Sequence, residues 1–204
     1  IDLDRFISKK DIPQINQIKG KYGNKTIILF VGRFRHYKGL KFLISAMKEI
    51  DAHLLLIGTG PEEQRLKNMV EKYHLGNKIF FLGELSDDEV NAYYKACDIF
   101  VLPSHLRSEA FGLVQVEAMC CGKPVISTVL GTGTSFVNLD GQTGITVNPG
   151  NSDSLSIAIQ YLIDNPEERL TLGINGYNRV KKMFTADKMI KKTIELYEDV
   201  IRDK

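Results

Sequence analysis

The run Thr26-Ile27-Ile28-Leu29-Phe30-Val31-Gly32-Arg33, with Lys38-Gly39 soon after it, decides the fold. An unbroken apolar stretch of this length, rich in β-branched residues and closed by glycine, reads as a strand buried on both faces, as a parallel sheet requires. From Gly39 the apolar period changes. Leu40, Leu43, Ile44, Met47 and Ile50 recur at helical spacing, so a helix is predicted over 40–50. Together these make one strand-helix unit.

The unit repeats downstream. His53 to Ile57 is a second strand, Gly58-Thr59-Gly60-Pro61 its turn, and Glu62 to Tyr73 a helix. Ile79 to Leu82 is a third strand. Ser86-Asp87-Asp88-Glu89 has the form of a capping box and predicts a helix to about Cys97. Ile99 to Leu102 follows, then a loop from Pro103 to Gly112 that is longer than a turn needs. Beyond it come a helix from Leu113 to Cys121, strands at Pro124 to Ser127 and Ile145 to Val147, and helices opening at Asn151-Ser152, Pro166 and Thr185. Strands alternating with helices predict an α/β, doubly wound parallel sheet over 26–204, with 1–25 a polar linker and lead-in. Such sheets bind ligands at the carboxyl ends of their strands.

Composition narrows the function. With 43% hydrophobic and 25% charged residues the chain has globular values, and 204 residues suit one sizeable domain. A formal charge of only +2, without a basic block interleaved with aromatics, argues against a nucleic-acid partner. Three cysteines, Cys97, Cys120 and the adjacent Cys121, do not make a disulfide framework, so a reducing cytoplasmic setting is expected. The apolar runs are far shorter than the roughly 20 residues of a membrane span.

At the strand ends, Gly32, Arg33, Lys38 and the helix opening at Gly39 bring two cations and free amides together, an arrangement suited to a diphosphate. Ordinary loop cations would look the same. In Glu109-Ala110-Phe111-Gly112-Leu113-Val114-Gln115-Val116-Glu117, two carboxylates flank a loop-to-helix junction. The amides of Phe111, Gly112 and Leu113 would point outward to receive phosphate, Gly112 letting it come close. Glu117, about one turn into the helix, could accept a ribose diol, and Glu109 could reach the sugar. The plain alternative is a solvated Glu109 and a Glu117 that serves only the helix dipole.

This segment resembles the E-x7-E pattern of retaining glycosyltransferases with the GT-B fold, the group named glycosyl transferases group 1. Gly32-Arg33 with Lys38-Gly39, Gly58-Thr59-Gly60-Pro61, Phe81-Leu82-Gly83, Ala96-Cys97-Asp98 before Val101-Leu102-Pro103-Ser104, and Glu117-Ala118-Met119-Cys120-Cys121-Gly122-Lys123-Pro124-Val125 are similar to further family patterns and stand in family order. The resemblance covers about 26–165. It implies the C-terminal, donor-binding half of a GT-B fold, with Ile1-Asp2-Leu3-Asp4-Arg5-Phe6 similar to the interdomain linker that follows an acceptor domain.

The resemblance implies that Arg33 and Lys38 neutralise the diphosphate of a nucleotide sugar such as a UDP- or GDP-hexose, without a metal or other cofactor. It gives the 111–113 amides a phosphate, Glu117 the ribose, Glu109 the donor sugar, and the backbone near Leu82, Gly83 and Leu85 the base, with Gly58 among the donor-binding residues. Transfer would retain anomeric configuration, to a glycan or lipid-linked acceptor held by the acceptor domain, at or near the inner face of a membrane. One departure is Gly131-Thr132-Gly133-Thr134-Ser135, where the family usually has Gly-Gly-x-Pro-Glu. Thr132 and Thr134 become candidate contacts there, and His105 is a candidate in the long loop.

Asp2-Leu3-Asp4 spells a D-x-D, but lies in the expected linker, far in sequence from the phosphate site. Lys188, Lys191 and Lys192 of the tail read as a solvated basic face or a contact with anionic membrane. A sugar-nucleotide epimerase or phosphorylase-like enzyme of the same architecture, or a non-catalytic nucleotide-sugar-binding module, are the competing readings. A plain Rossmann dehydrogenase lacks its full glycine fingerprint.

Overall fold

The structure, a computed structural model, describes residues 1–7, 12–23 and 25–202. Strands β1 (Ile27–Val31), β2 (His53–Ile57), β3 (Ile79–Gly83), β4 (Ile99–Leu102), β5 (Val125–Thr128) and β6 (Gly144–Val147) form one six-stranded sheet in the order β3-β2-β1-β4-β5-β6. Every neighbouring pair is parallel. Ile28, Leu29 and Phe30 of β1 and Leu54, Leu55 and Leu56 of β2 are fully buried. That is why these strands are apolar without alternation: both faces are covered.

The cover consists of helices α1 (Asp4–Ile7), α2 (Ile12–Tyr22), α3 (Leu40–Ala46), α4 (Glu63–Lys72), α5 (Asp87–Ala96), α6 (Leu113–Cys120), α7 (Gly133–Val137), α8 (Ser152–Asp164), α9 (Pro166–Met183) and α10 (Ala186–Arg202). Helix α3 packs on α4 and α8, while α5 packs on α2 and α6, and α6 on α9, which makes two helical layers around the sheet. The expected capping box closes the start of α5: Glu89 N–H donates to Ser86 Oγ and Ser86 N–H to Glu89 Oε2.

One local expectation needs correction. The helix predicted over 40–50 ends at Ala46, and Lys48 and Ile50 continue in tighter turns on the carbonyls of Ser45 and Met47. Met47 and Ile50 are nonetheless buried, so their spacing reported which residues face the core and not how the backbone is hydrogen-bonded. Within the lead-in, α2 is a docked helix with Ile18 and Tyr22 buried, and the Tyr22 ring packs tilted against Phe80 with centroids 5.2 Å apart.

From β1 the chain moves to β2 on one side, and from β4 to β5 on the other. The carboxyl ends of the adjacent strands β1 and β4 therefore face a crevice that no crossover connection covers, the switch point of an open parallel sheet. Both loops singled out in the sequence start there.

Candidate functional site

Three strand-end loops are tied together on one side of the crevice. Gly32 N–H donates to Ile57 O at 3.0 Å, Phe34 N–H to Thr59 O at 2.8 Å, and Gly58 N–H to Gly83 O at 2.8 Å. Phe34 is fully buried, with Phe30 at 6.3 Å and Phe81 at 6.0 Å, and anchors the β1 loop. Arg33, its neighbour, is exposed and bonds to no described residue through its guanidinium. A 3-10 turn over His36–Lys38 then turns Lys38 inward.

Lys38 Nζ meets Glu109 Oε2 at 2.6 Å, and both side chains are buried, at 11% and 9% exposure. Ser104 Oγ, wholly buried, donates to the same carboxylate oxygen at 2.8 Å. The Thr128 hydroxyl at the end of β5 donates to Ser104 O. The backbone at Glu109 is held as well: Thr132 Oγ1 donates to Glu109 O at 2.8 Å and Gly133 N–H to Ala110 O at 2.8 Å. Removing two charges from water costs several kcal/mol per ion, and only a close, hydrogen-bonded pair offsets it. The site therefore holds one preoriented carboxylate beside one preoriented ammonium, joined across loops from two different strands.

Gly39 makes that joining possible. It has φ 69°, and a Cβ there would stand 2.0 Å from Pro103 O. His105 N–H crosses the same gap to Tyr37 O at 2.8 Å. The His105 ring lies 4.8 Å from His36 and 5.1 Å from Phe42, and burial, then the nearby His36 and Lys41, hold its pKa below the usual imidazole value.

Gly112 starts α6 in the left-handed region, with φ 72°. The amides of Phe111, Gly112 and Leu113 donate to no described residue, so the first turn of α6 offers free N–H groups beside Glu109 in the chain. Glu117, one turn further, is half-buried, and its Oε2 accepts from Tyr94 Oη of α5 at 2.8 Å. Burial, then the Glu117 carboxylate, pushes the Tyr94 phenol well above its ordinary value, so it remains a donor.

Leu82 and Leu85 are half-buried around Gly83, where β3 meets the Gly58 loop. Thr132 is committed to the Glu109 backbone, and Thr134 Oγ1 lies 3.1 Å from Thr132 Oγ1. In this chain the departing Gly131 to Ser135 segment thus braces the loop that carries Glu109. Thr128 and Tyr94 carry no signal in the sequence reading, and Ser104 enters it only as the end of a family pattern, without a role; the apolar setting of Ser104 and Tyr94, a polar atom each amid core residues, is the signal that marks them.

Away from the crevice, a cavity of about 540 Å³ lined by Lys19, Lys25, Asp98 and Arg169 lies at the amino ends of β1 and β4. An apolar groove of about 430 Å³ runs from Phe111 and Leu113 to Met189 and Leu196 of α10. Asp2 is exposed, and nothing is described of the Asp4 side chain. Among the described residues no three His, Cys, Asp or Glu stand together as metal ligands, and no helix is long and apolar enough to cross a membrane. All three cysteines are free. On α10, Lys191 pairs with Glu195 at 3.8 Å.

The sequence matches the family described as Glycosyl transferases group 1 over residues 11–179. The O-antigen chain mannosyltransferase C of Escherichia coli is 38% identical over 176 residues, which are 86% of this chain and 47% of that protein. Sucrose-phosphate synthase from Thermosynechococcus elongatus superposes with a TM-score of 0.88 at 32% identity, covering 100% of this chain and 52% of that one. Anabaena Alr3699/HepE, solved in complex with UDP and glucose, superposes with a TM-score of 0.87 at 25% identity, over 97% of this chain and 55% of that one. The chain thus spans about half the length of each of these three proteins.

Proposed function

The chain belongs to the Glycosyl transferases group 1 family as the C-terminal, Rossmann-like half of a GT-B fold, and from this we propose that it binds the nucleotide-sugar donor of a retaining hexosyltransferase. The observation that carries the proposal is the junction at the switch point, where Lys38 pairs with Glu109 and the free amides that open α6 follow Glu109 in the chain. A nucleotide diphosphate sugar presents two phosphates, a sugar with vicinal hydroxyls, a ribose diol and a base. The crevice offers a counterpart for each.

Arg33 and the α6 amides take the diphosphate, and Lys38 lies between it and Glu109. As the anomeric bond breaks, negative charge grows on the leaving diphosphate, and fixed cations and N–H dipoles at that place lower the barrier without a metal. Glu109, held by Ser104 and Lys38, accepts hydroxyls of the sugar and orients it. Glu117 accepts the ribose diol, and the backbone of Leu82 to Leu85 borders the base. The acceptor, a glycan or a lipid-linked glycan, is held by an acceptor domain outside this chain, which is also the part that meets a membrane surface. A cytoplasmic setting suits the free thiols, which burial raises to about 12 at Cys97 and Cys120.

Calorimetric titration with UDP, GDP and ADP and their hexose conjugates, without added metal, tests the proposal. One nucleotide is expected to bind selectively, and Arg33→Ala and Glu117→Ala are each expected to weaken it by roughly tenfold, the worth of one hydrogen bond to a charged group. Absence of selective binding, or binding indifferent to both changes, would overturn it.

A further inference from the structure

We propose that Tyr94 is a positioning residue for the donor's ribose: by holding Glu117 Oε2 it presents the other carboxylate oxygen to the ribose diol and sets the preference for ribonucleotides over 2′-deoxynucleotides. The proposal rests on the reading that Glu117 receives the ribose.

Tyr94 projects from α5, outside the loops that form the crevice. It is 1% exposed, and its ring is fixed by Phe100 at 5.6 Å and Phe6 at 6.5 Å. A phenol has one proton to donate, and Tyr94 gives it to Glu117 Oε2 at 2.8 Å. Glu117 makes no other hydrogen bond among the described residues. A partly exposed glutamate otherwise samples several rotamers, and freezing them on binding opposes association. A donor that is itself immobile removes much of that cost before the ligand arrives. Because the hydrogen bond comes from the core side, Oε1 is the oxygen left for a diol approaching from the crevice.

A buried tyrosine that merely satisfies its hydroxyl would also bond to Glu117. The two roles differ in what they change. A purely structural hydroxyl affects stability and treats all nucleotides alike; a positioning hydroxyl acts only on ligands that carry the diol.

The test is calorimetry with UDP, GDP and ADP and with dUDP, dGDP and dADP, on the wild type, Tyr94→Phe and Glu117→Gln. Tyr94→Phe keeps the packed ring and leaves Glu117 able to bond to water, and urea midpoints establish that both variants are folded. For the nucleotide that binds best, Tyr94→Phe should weaken the ribose form about five- to tenfold and leave the deoxy form within about twofold, so that discrimination collapses as it does in Glu117→Gln. Discrimination kept in Tyr94→Phe but lost in Glu117→Gln overturns the proposal while the donor site stands. Equal weakening of both forms assigns Tyr94 a structural role and overturns it as well. If the wild type binds no nucleotide, or does not distinguish ribose from deoxyribose, the reading of Glu117 fails and the proposal with it.

Discussion

At the scale of single residues, the Lys38–Glu109 pair is the most consequential contact, because neither partner can be lost alone. Lys38→Ala leaves a buried carboxylate with only Ser104, and is expected to cost about 3–5 kcal/mol of stability. Lys38→Ala combined with Glu109→Ala should cost less than the two single changes summed, as measured by urea unfolding in a double-mutant cycle. Neither residue's part in this pair was readable in advance. They lie 71 positions apart, and the sequence reading sent one to phosphate and the other to sugar. A linear pattern marks residue type and local spacing; only the adjacency of β1 and β4 brings these two together. His105 gives a pH test. Its folded pKa lies below the ordinary value of 6.5, so the unfolded chain takes up its proton first as pH falls. The stability it contributes is fully present above pH 6.5 and is lost as pH falls through the folded pKa. His105→Asn should flatten that part of the stability profile, measured by urea midpoints between pH 5 and 7.5.

At the scale of elements, what was legible followed from chemistry confined to a few adjacent residues. The four central apolar strands, β1, β2, β4 and β5, are plain because burial on two faces leaves no alternation to misread, and the start of α5 is plain because its cap is written within four positions, Ser86 to Glu89. Ser86→Ala should cost about 1 kcal/mol and raise hydrogen exchange across the first turn of α5. The hydrogen bonds from Ser86 hold the Glu89 carboxyl below its usual pKa. Its share of stability is therefore present at neutral pH and lost as pH falls through the carboxylate range, and Ser86→Ala should reduce that acid slope. Helix α2 was missed for the opposite reason. Pro13 is the second residue of the helix, where no intrahelical N–H bond is lost, and Gly23 follows its last residue with φ 66°, so both residues bound the element without breaking it.

At the scale of the whole molecule, the core and the tail differ sharply. The sheet and its two helical layers bury one continuous core, whereas α10 contributes no buried residue and leaves Leu196 and Ile201 exposed. Truncation after Ala186 is therefore expected to leave the urea midpoint nearly unchanged and the unfolding cooperative, while lowering the tendency to associate, as read by light scattering. The two cations of the crevice differ in a similar way: Lys38 is enclosed and Arg33 stands in solvent. Mobile ions screen an exposed charge over about 8 Å at physiological ionic strength and reach an enclosed one far less. On the donor reading, added potassium chloride should thus erode only Arg33's share of nucleotide affinity. Arg33→Ala should bind weakly but with a nearly flat dependence on ionic strength, the enclosed lysine holding its share in brine as in dilute buffer.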